Sequence, residues 1–247
     1  MPQAPAVASG LSRRPGEPWA RFVERVANAF GLVLLLVVLT YVLSSVTSYK
    51  GWTGALTAAM ASLSATVALA TARARHVVVR WAARAAILAV LLAVIAAATG
   101  DSPPLGLSSL LQVLLLSTGA LAVLRAVLSE TEVGFRTILG AISVYLVLAL
   151  LFTYLYLGID RLQSGPFFTG GGQLDTGDYV FFSITTLTTT GYGNLVPAAQ
   201  PGKMFAGLEM FTGQLFVVTL IAGLVSLWRP GQGVRERRGA PRDSGSR

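Results

Sequence analysis

Asp178–Pro197 reads DYVFFSITTLTTTGYGNLVP, and its two halves ask for different structures. Asp178–Thr188 can form a helix about 16 Å long, half the thickness of a hydrocarbon core. A helix of that length set between long apolar segments must be re-entrant. Asp178 falls in its first turn, where a carboxylate suits the positive end of the helix dipole. The negative end then points where a cation is favoured. The helix gives way to Thr189-Thr190-Gly191-Tyr192-Gly193. On its own, Gly-Tyr-Gly is a common turn. Behind a half-length helix it reads as irregular backbone lining a watery path, since such backbone is otherwise excluded at membrane depth. Backbone carbonyls replace the water around a cation when they share one axis. They share it when alternate residues take left-handed angles, which glycine adopts without steric cost. Thr189 adds a hydroxyl below that column, and Tyr192 points off the axis as a strut against the surrounding helices.

This stretch, with its Thr-rich aromatic helix and the following Asn194-Leu195-Val196-Pro197, resembles the pore loop of the potassium channel family. The family's familiar form is Thr-Val-Gly-Tyr-Gly-Asp, so the chain departs from it at Thr190 and Asn194. Thr190 has the shape of valine, so its carbonyl keeps its place while a hydroxyl is added behind the filter. Asn194 lacks the charge that ties the filter mouth to the pore helix in many relatives. The resemblance implies a K⁺ filter at Thr189, Thr190, Gly191, Tyr192 and Gly193, and an assembly of four identical subunits, since the chain carries one such motif. It covers Thr137–Trp228.

Composition places the chain in a membrane. Hydrophobic residues make up 53% of its 247 residues and charged residues 12%, with a mean hydropathy of +0.66. A soluble domain carries roughly a quarter charged residues. The net charge of +8 would suit nucleic acid, but the arginines cluster between and beyond apolar runs, as topology signals and contacts to anionic lipid headgroups do. Cysteine is absent, so neither a disulfide nor a thiol metal site is available. The sole histidine, His76, and the absent cysteine leave no recognisable nucleophile-and-base pair, no metal cluster and no organic cofactor motif. An enzyme is not expected.

In chain order, residues 1–26 form a Pro/Gly/Ala/Ser-rich tail ending in a short interfacial helix at 19–26. Residues 27–128 hold four spans: Ala27–Val46, the Ala/Ser/Thr-rich Gly51–Ala72, Ala85–Thr99 with Trp81–Arg84 borrowed at one end, and Leu107–Leu128. The first run is longer than a signal peptide's apolar region usually is and is read as retained. Arg73–Arg84 is a basic turn containing His76, and Gly100–Pro104 a tight break. Residues 129–228 form the pore domain: a fifth span, Thr137–Ile159, with Tyr154 and Tyr156 as interfacial aromatics; a Gly-rich turret including Gly170–Gly172; the pore loop; and a sixth span, Lys203–Trp228. Residues 229–247 are a basic tail. Six spans place both termini and the even-numbered loops on one side, which collects sixteen of the nineteen basic residues and leaves Lys50, Arg161 and Lys203 opposite. That bias puts both termini in the cytoplasm of a plasma (inner) membrane protein and the pore loop outside.

Supporting residues follow. Phe181 and Phe182 wedge against the lining helices. Glu209, a lone carboxylate deep in an apolar span, is expected behind the filter, bonded to pore-helix threonines such as Thr185 or Thr186, its charge state open. Gly213, twenty residues after Gly193, matches the gating hinge of the resembling channels or else serves close helix packing. Gln214 faces the watery cavity below the filter. Arg125, near one end of the fourth span, lacks the three-residue repeat a voltage sensor needs. The expected protein is therefore an all-α, six-span homotetrameric potassium channel without a conventional sensor. The alternatives are a weakly selective cation channel, and a non-conducting heteromer subunit or membrane scaffold. The stimulus is not legible.

Overall fold

A computed structural model describes residues 30–46, 52–129, 135–170 and 174–227. These residues form α1 (Phe30–Val46), α2 (Trp52–Thr71), α3 (His76–Thr99), α4 (Ser102–Leu128), α5 (Phe135–Leu162), α6 (Thr176–Leu187) and α7 (Gly202–Leu227). Among the described residues no strand forms, and one isolated bridge joins Phe168 to Pro197. Among the described residues, four helices are long and apolar enough to cross a membrane: α2, α3, α4 and Thr137–Leu162 of α5. The apolar α1 is shorter at 17 residues, and α7 runs for 26. The tail at 1–26 with its interfacial helix, Lys50, Gly171, Gly172, the side chain of Arg136 and the tail at 229–247 lie outside what is described.

Two expected breaks are shorter than the sequence suggests. Residues 73–84 are not one basic turn, because α3 already begins at His76. Val77–Val79 and the alanines that follow are enough to extend the helix outward. Arg80 and Arg84, four apart, then share a face, and the Arg84 guanidinium sits 4.9 Å from the Trp81 ring centroid. Likewise, Pro103 and Pro104 do not break the chain. They occupy the first turn of α4, where a missing N–H costs nothing. The break shrinks to Gly100, at φ +78°, and Asp101.

α2, α3 and α4 pack on one another, α4 runs along α5, and α1 lies against α2, α5 and α6. The weak hydropathy of α2 reflects this central position. Its Ala58, Ala61, Ala65 and Ala68 are buried, and small side chains let backbones approach. Polar groups fasten the same interfaces. Gln112 donates to Ala58 O at 2.8 Å and Ser62 Oγ at 2.9 Å; Ser108 donates to Ala89 O at 2.7 Å; Thr40 and Ser64 meet at 3.0 Å.

Tyr154 and Tyr156 are not interfacial aromatics. Both are fully buried: Tyr154 donates its hydroxyl to Thr57 O at 3.1 Å, and Tyr156 turns towards α6 and α7. Each phenol finds an internal acceptor, which removes the need for headgroup water.

Candidate functional site

α6 owes its start to two aspartates. Asp175 is the N-cap, and Asp178, three residues on, accepts from the Asp175 backbone N–H at 2.9 Å to complete a capping box. Such a cap stabilises a helix start by about 1 kcal/mol. Asp178 thus does more than face the dipole. The first turn lies tight against α1, for a Cβ at Gly177 would come 2.6 Å from Ser45 O.

At the other end the helix hands its bonds to the loop. Thr189 N–H donates to Thr186 O at 2.9 Å, Thr190 N–H to Thr185 O at 2.8 Å and Gly191 N–H to the same oxygen at 3.2 Å. Positive φ occurs at every second residue: Thr189 at 57°, Gly191 at 50° and Gly193 at 80°. The alternation expected for the two glycines therefore extends one residue earlier. A left-handed threonine costs roughly 1–2 kcal/mol, which the adjoining amide bonds offset. With the amides turned back to α6, the carbonyl oxygens of residues 189–193 accept no hydrogen bond within the described chain. Unpaired backbone carbonyls are costly unless a solvent or an ion meets them. Thr190 places its hydroxyl 2.9 Å from that of Thr188. Asn194 is exposed and makes no side-chain hydrogen bond among the described residues.

Phe181 and Phe182 do not share a task. Consecutive helical residues point about 100° apart, so they cannot wedge against the same neighbour. Phe182 is buried among Tyr156, Phe167 and Phe168, with ring centroids 5.0–6.4 Å away. Phe181 instead stacks on Tyr192 at 5.6 Å and 18° between planes. Tyr192 is thus braced by α6 of its own chain, with 70% of its surface still open.

Glu209 is fully buried, but its partners are not Thr185 or Thr186. It lies 2.5 Å from Ser183 Oγ and accepts from the Tyr156 hydroxyl at 2.6 Å. Thr185 turns its hydroxyl back to Phe182 O at 3.0 Å, whereas Ser183 occupies the face of α6 towards α5 and α7. Ser183 also lies 2.7 Å from Ala149 O. One hydroxyl proton serves two acceptors there, so it is either shared or complemented by a proton on Glu209. One turn further along α7, a Cβ at Gly213 would run into the Leu187 carbonyl at the end of α6. Tyr145 of α5 donates to that same carbonyl at 3.3 Å. Glu209 and Gly213 together latch α7 to both ends of the last α6 turn. Gln214, next along, is exposed on the single chain.

Sequence reading misses Ser183, Tyr156, Phe167 and Phe168. Phe167 and Thr169, on either side of Phe168, strap the chain before the loop to the chain after it: Thr169 N–H donates to Val196 O and Ala198 N–H to Phe167 O, both at 2.8 Å. The available signal was the lone Glu209, which demands donors within reach. Ser183 and Tyr156 are hydroxyls inside otherwise apolar surroundings.

Comparison with known proteins falls on this same region. A family model described as ion channel matches residues 140–229. Two curated proteins of Oryza sativa subsp. japonica are similar: two pore potassium channel b, 34% identical over 84 residues (34% of this chain, 24% of the relative), and two pore potassium channel c, 34% identical over 79 residues (31% and 17%). The chain spans about a quarter or less of the length of these relatives. No solved structure matches significantly. The loop geometry and these matches fall on the same stretch: residues 140–229 are similar to an ion channel family and to the two potassium channels named above.

Proposed function

We propose that the chain is a six-span subunit of a homotetrameric, potassium-selective channel that conducts passively along the carbonyls of Thr189–Gly193. The observation that carries this reading is the unpartnered carbonyl column. Three alternating left-handed residues and three amides tied to α6 leave those oxygens for an ion that has shed its water. One chain supplies one such strand, so a ring of oxygens needs further copies. The surface of α7 suits that assembly. Met204, Leu208, Phe211, Leu215 and Val218 are exposed at alternating spacings of four and three, the seam along which helices associate. Gln214 would then face the cavity enclosed by those helices, and the open face of Tyr192 a neighbouring subunit.

The remaining parts of the reading rest on sequence. Counting α1 and α7 as spans gives six, and the arginine bias then sets both termini in the cytoplasm of the plasma membrane, with anionic lipids at the basic loops. Opening occurs at the filter or along the inner helices, with Gly213 acting as a packing point against Leu187 or as a hinge. Reversal potentials of the purified protein in liposomes, with K⁺ on one side and Na⁺ on the other, test the proposal. A reversal close to the K⁺ equilibrium potential is expected. A reversal near zero makes it a weakly selective cation pore, and no flux a silent subunit or scaffold.

A further inference from the structure

The arginines between α2 and α3 and at the end of α4 frame a cavity of about 910 Å³, lined by Arg73, Arg75 and Arg125 together with Leu69, Thr118 and Ser129. None of the three makes an ion pair among the described residues, where the one salt bridge is Arg161–Asp160. Two backbone features hold them there. α2 ends in a Schellman turn, with Ala74 N–H donating to Leu69 O and Arg73 N–H to Ala70 O, both at 3.1 Å. Its left-handed position, normally glycine or asparagine, is Arg73 at φ 52°. The N-cap of α3 is Arg75, whose side chain makes no capping bond, so the first N–H groups of α3 stay free for an anion.

A second cavity borders the first. About 390 Å³ in volume, it runs between α3 and α4 and is lined by Val77, Trp81, Ala85 and Leu114, and it shares Val78 and Thr118 with the arginine cavity. A basic recess beside an apolar groove on the side of membrane-crossing helices matches one class of molecule. Its phosphate would meet the guanidinium groups, which take phosphate oxygens two at a time, and an acyl chain would follow the groove.

We propose that these two adjoining cavities form a binding site for a single anionic phospholipid, with its phosphate held by Arg73, Arg75 and Arg125 and one acyl chain lying between α3 and α4. The site is remote from the filter and stands whether or not the pore selects potassium. A free phosphate would use the arginines alone; a lipid needs the groove as well.

The test measures thermal stabilisation and retained lipid, by native mass spectrometry, for the full chain with phosphatidylglycerol, phosphatidylcholine, inorganic phosphate or glycerol 3-phosphate. Wild type should retain phosphatidylglycerol and gain melting temperature from it, and from none of the others. The triple change Arg73→Lys, Arg75→Lys, Arg125→Lys keeps every charge that sets topology but removes paired phosphate bonds. It should weaken retention about tenfold or more. Ala85→Trp, which fills the groove and leaves the arginines intact, should do the same. Equal stabilisation by inorganic phosphate overturns the lipid assignment. Unchanged phosphatidylglycerol retention in both variants overturns the site.

Discussion

The bundle of α1–α4 and the α5–α7 unit, proposed above as the pore domain, are both helical, yet they are held together by different chemistry. In the bundle, alanines, serines and one glutamine let backbones close on one another, and Ser108 and Gln112 donate across to neighbouring helices. In the pore domain, a carboxylate, a ring cluster around Phe167 and Phe182, and two clasping backbone bonds surround one short helix. The bundle spends its polar groups on packing. The pore domain uses its own to hold a loop whose carbonyls are left open. Stability and conduction should therefore separate by region.

The largest effect should come from Gly191→Ala or Gly193→Ala. Both positions are left-handed, and an alanine there costs roughly 1–2 kcal/mol if it stays and turns a carbonyl away if it relaxes. Loss of K⁺-driven flux is expected with a stability loss of no more than about 1–2 kcal/mol, and normal flux would break the comparison. Next is Glu209→Leu, which leaves the Tyr156 hydroxyl buried without its acceptor and removes the Ser183 contact. The expected loss of stability is about 2–4 kcal/mol, read by thermal unfolding. Glu209→Gln offers both a donor and an acceptor and should lose far less. A cycle combining Glu209→Leu with Ser183→Ala should be non-additive, since the two residues share one contact.

Gly213→Ala sharpens the comparison by separating its two roles. Contact with the Leu187 carbonyl makes it a packing glycine, and about 1–3 kcal/mol of stability should go with the added methyl. A change in open time at unchanged melting temperature would mark it as a hinge instead. The smallest effect on conduction should be that of Gln112→Leu. It removes two buried hydrogen bonds in the bundle, so about 1–2 kcal/mol of stability is lost while the reversal potential stays put. A shifted reversal potential would show that the bundle reaches the filter.

This contrast also accounts for what the sequence could say. Gly191 and Gly193 stand out because glycine takes left-handed angles without steric cost, and Asp178 because a first-turn carboxylate suits the positive end of the helix dipole. Glu209 is conspicuous as a charge among apolar neighbours, but its partner is not. Ser183 is one hydroxyl in a run with Thr185, Thr186 and Thr188, and only the rotation of α6 decides which faces α7. The same rotation separates Phe181 from Phe182. Tyr154 and Tyr156 look like interfacial residues until Thr57 and Glu209 supply their acceptors. In the bundle, Ser108, Gln112 and Ser62 belong to the ordinary vocabulary of membrane helices, so no spacing announces which of them pair.

The account rests on carbonyls that substitute for water around a dehydrated ion. Anomalous diffraction from the assembled protein with Tl⁺ in place of K⁺ tests it most directly. The expected map has a file of ion peaks on a fourfold axis between the carbonyls of residues 189–193, with Tyr192 directed away from it. An axis without peaks, or Tyr192 and its flanking glycines remote from any central conduit, would contradict it.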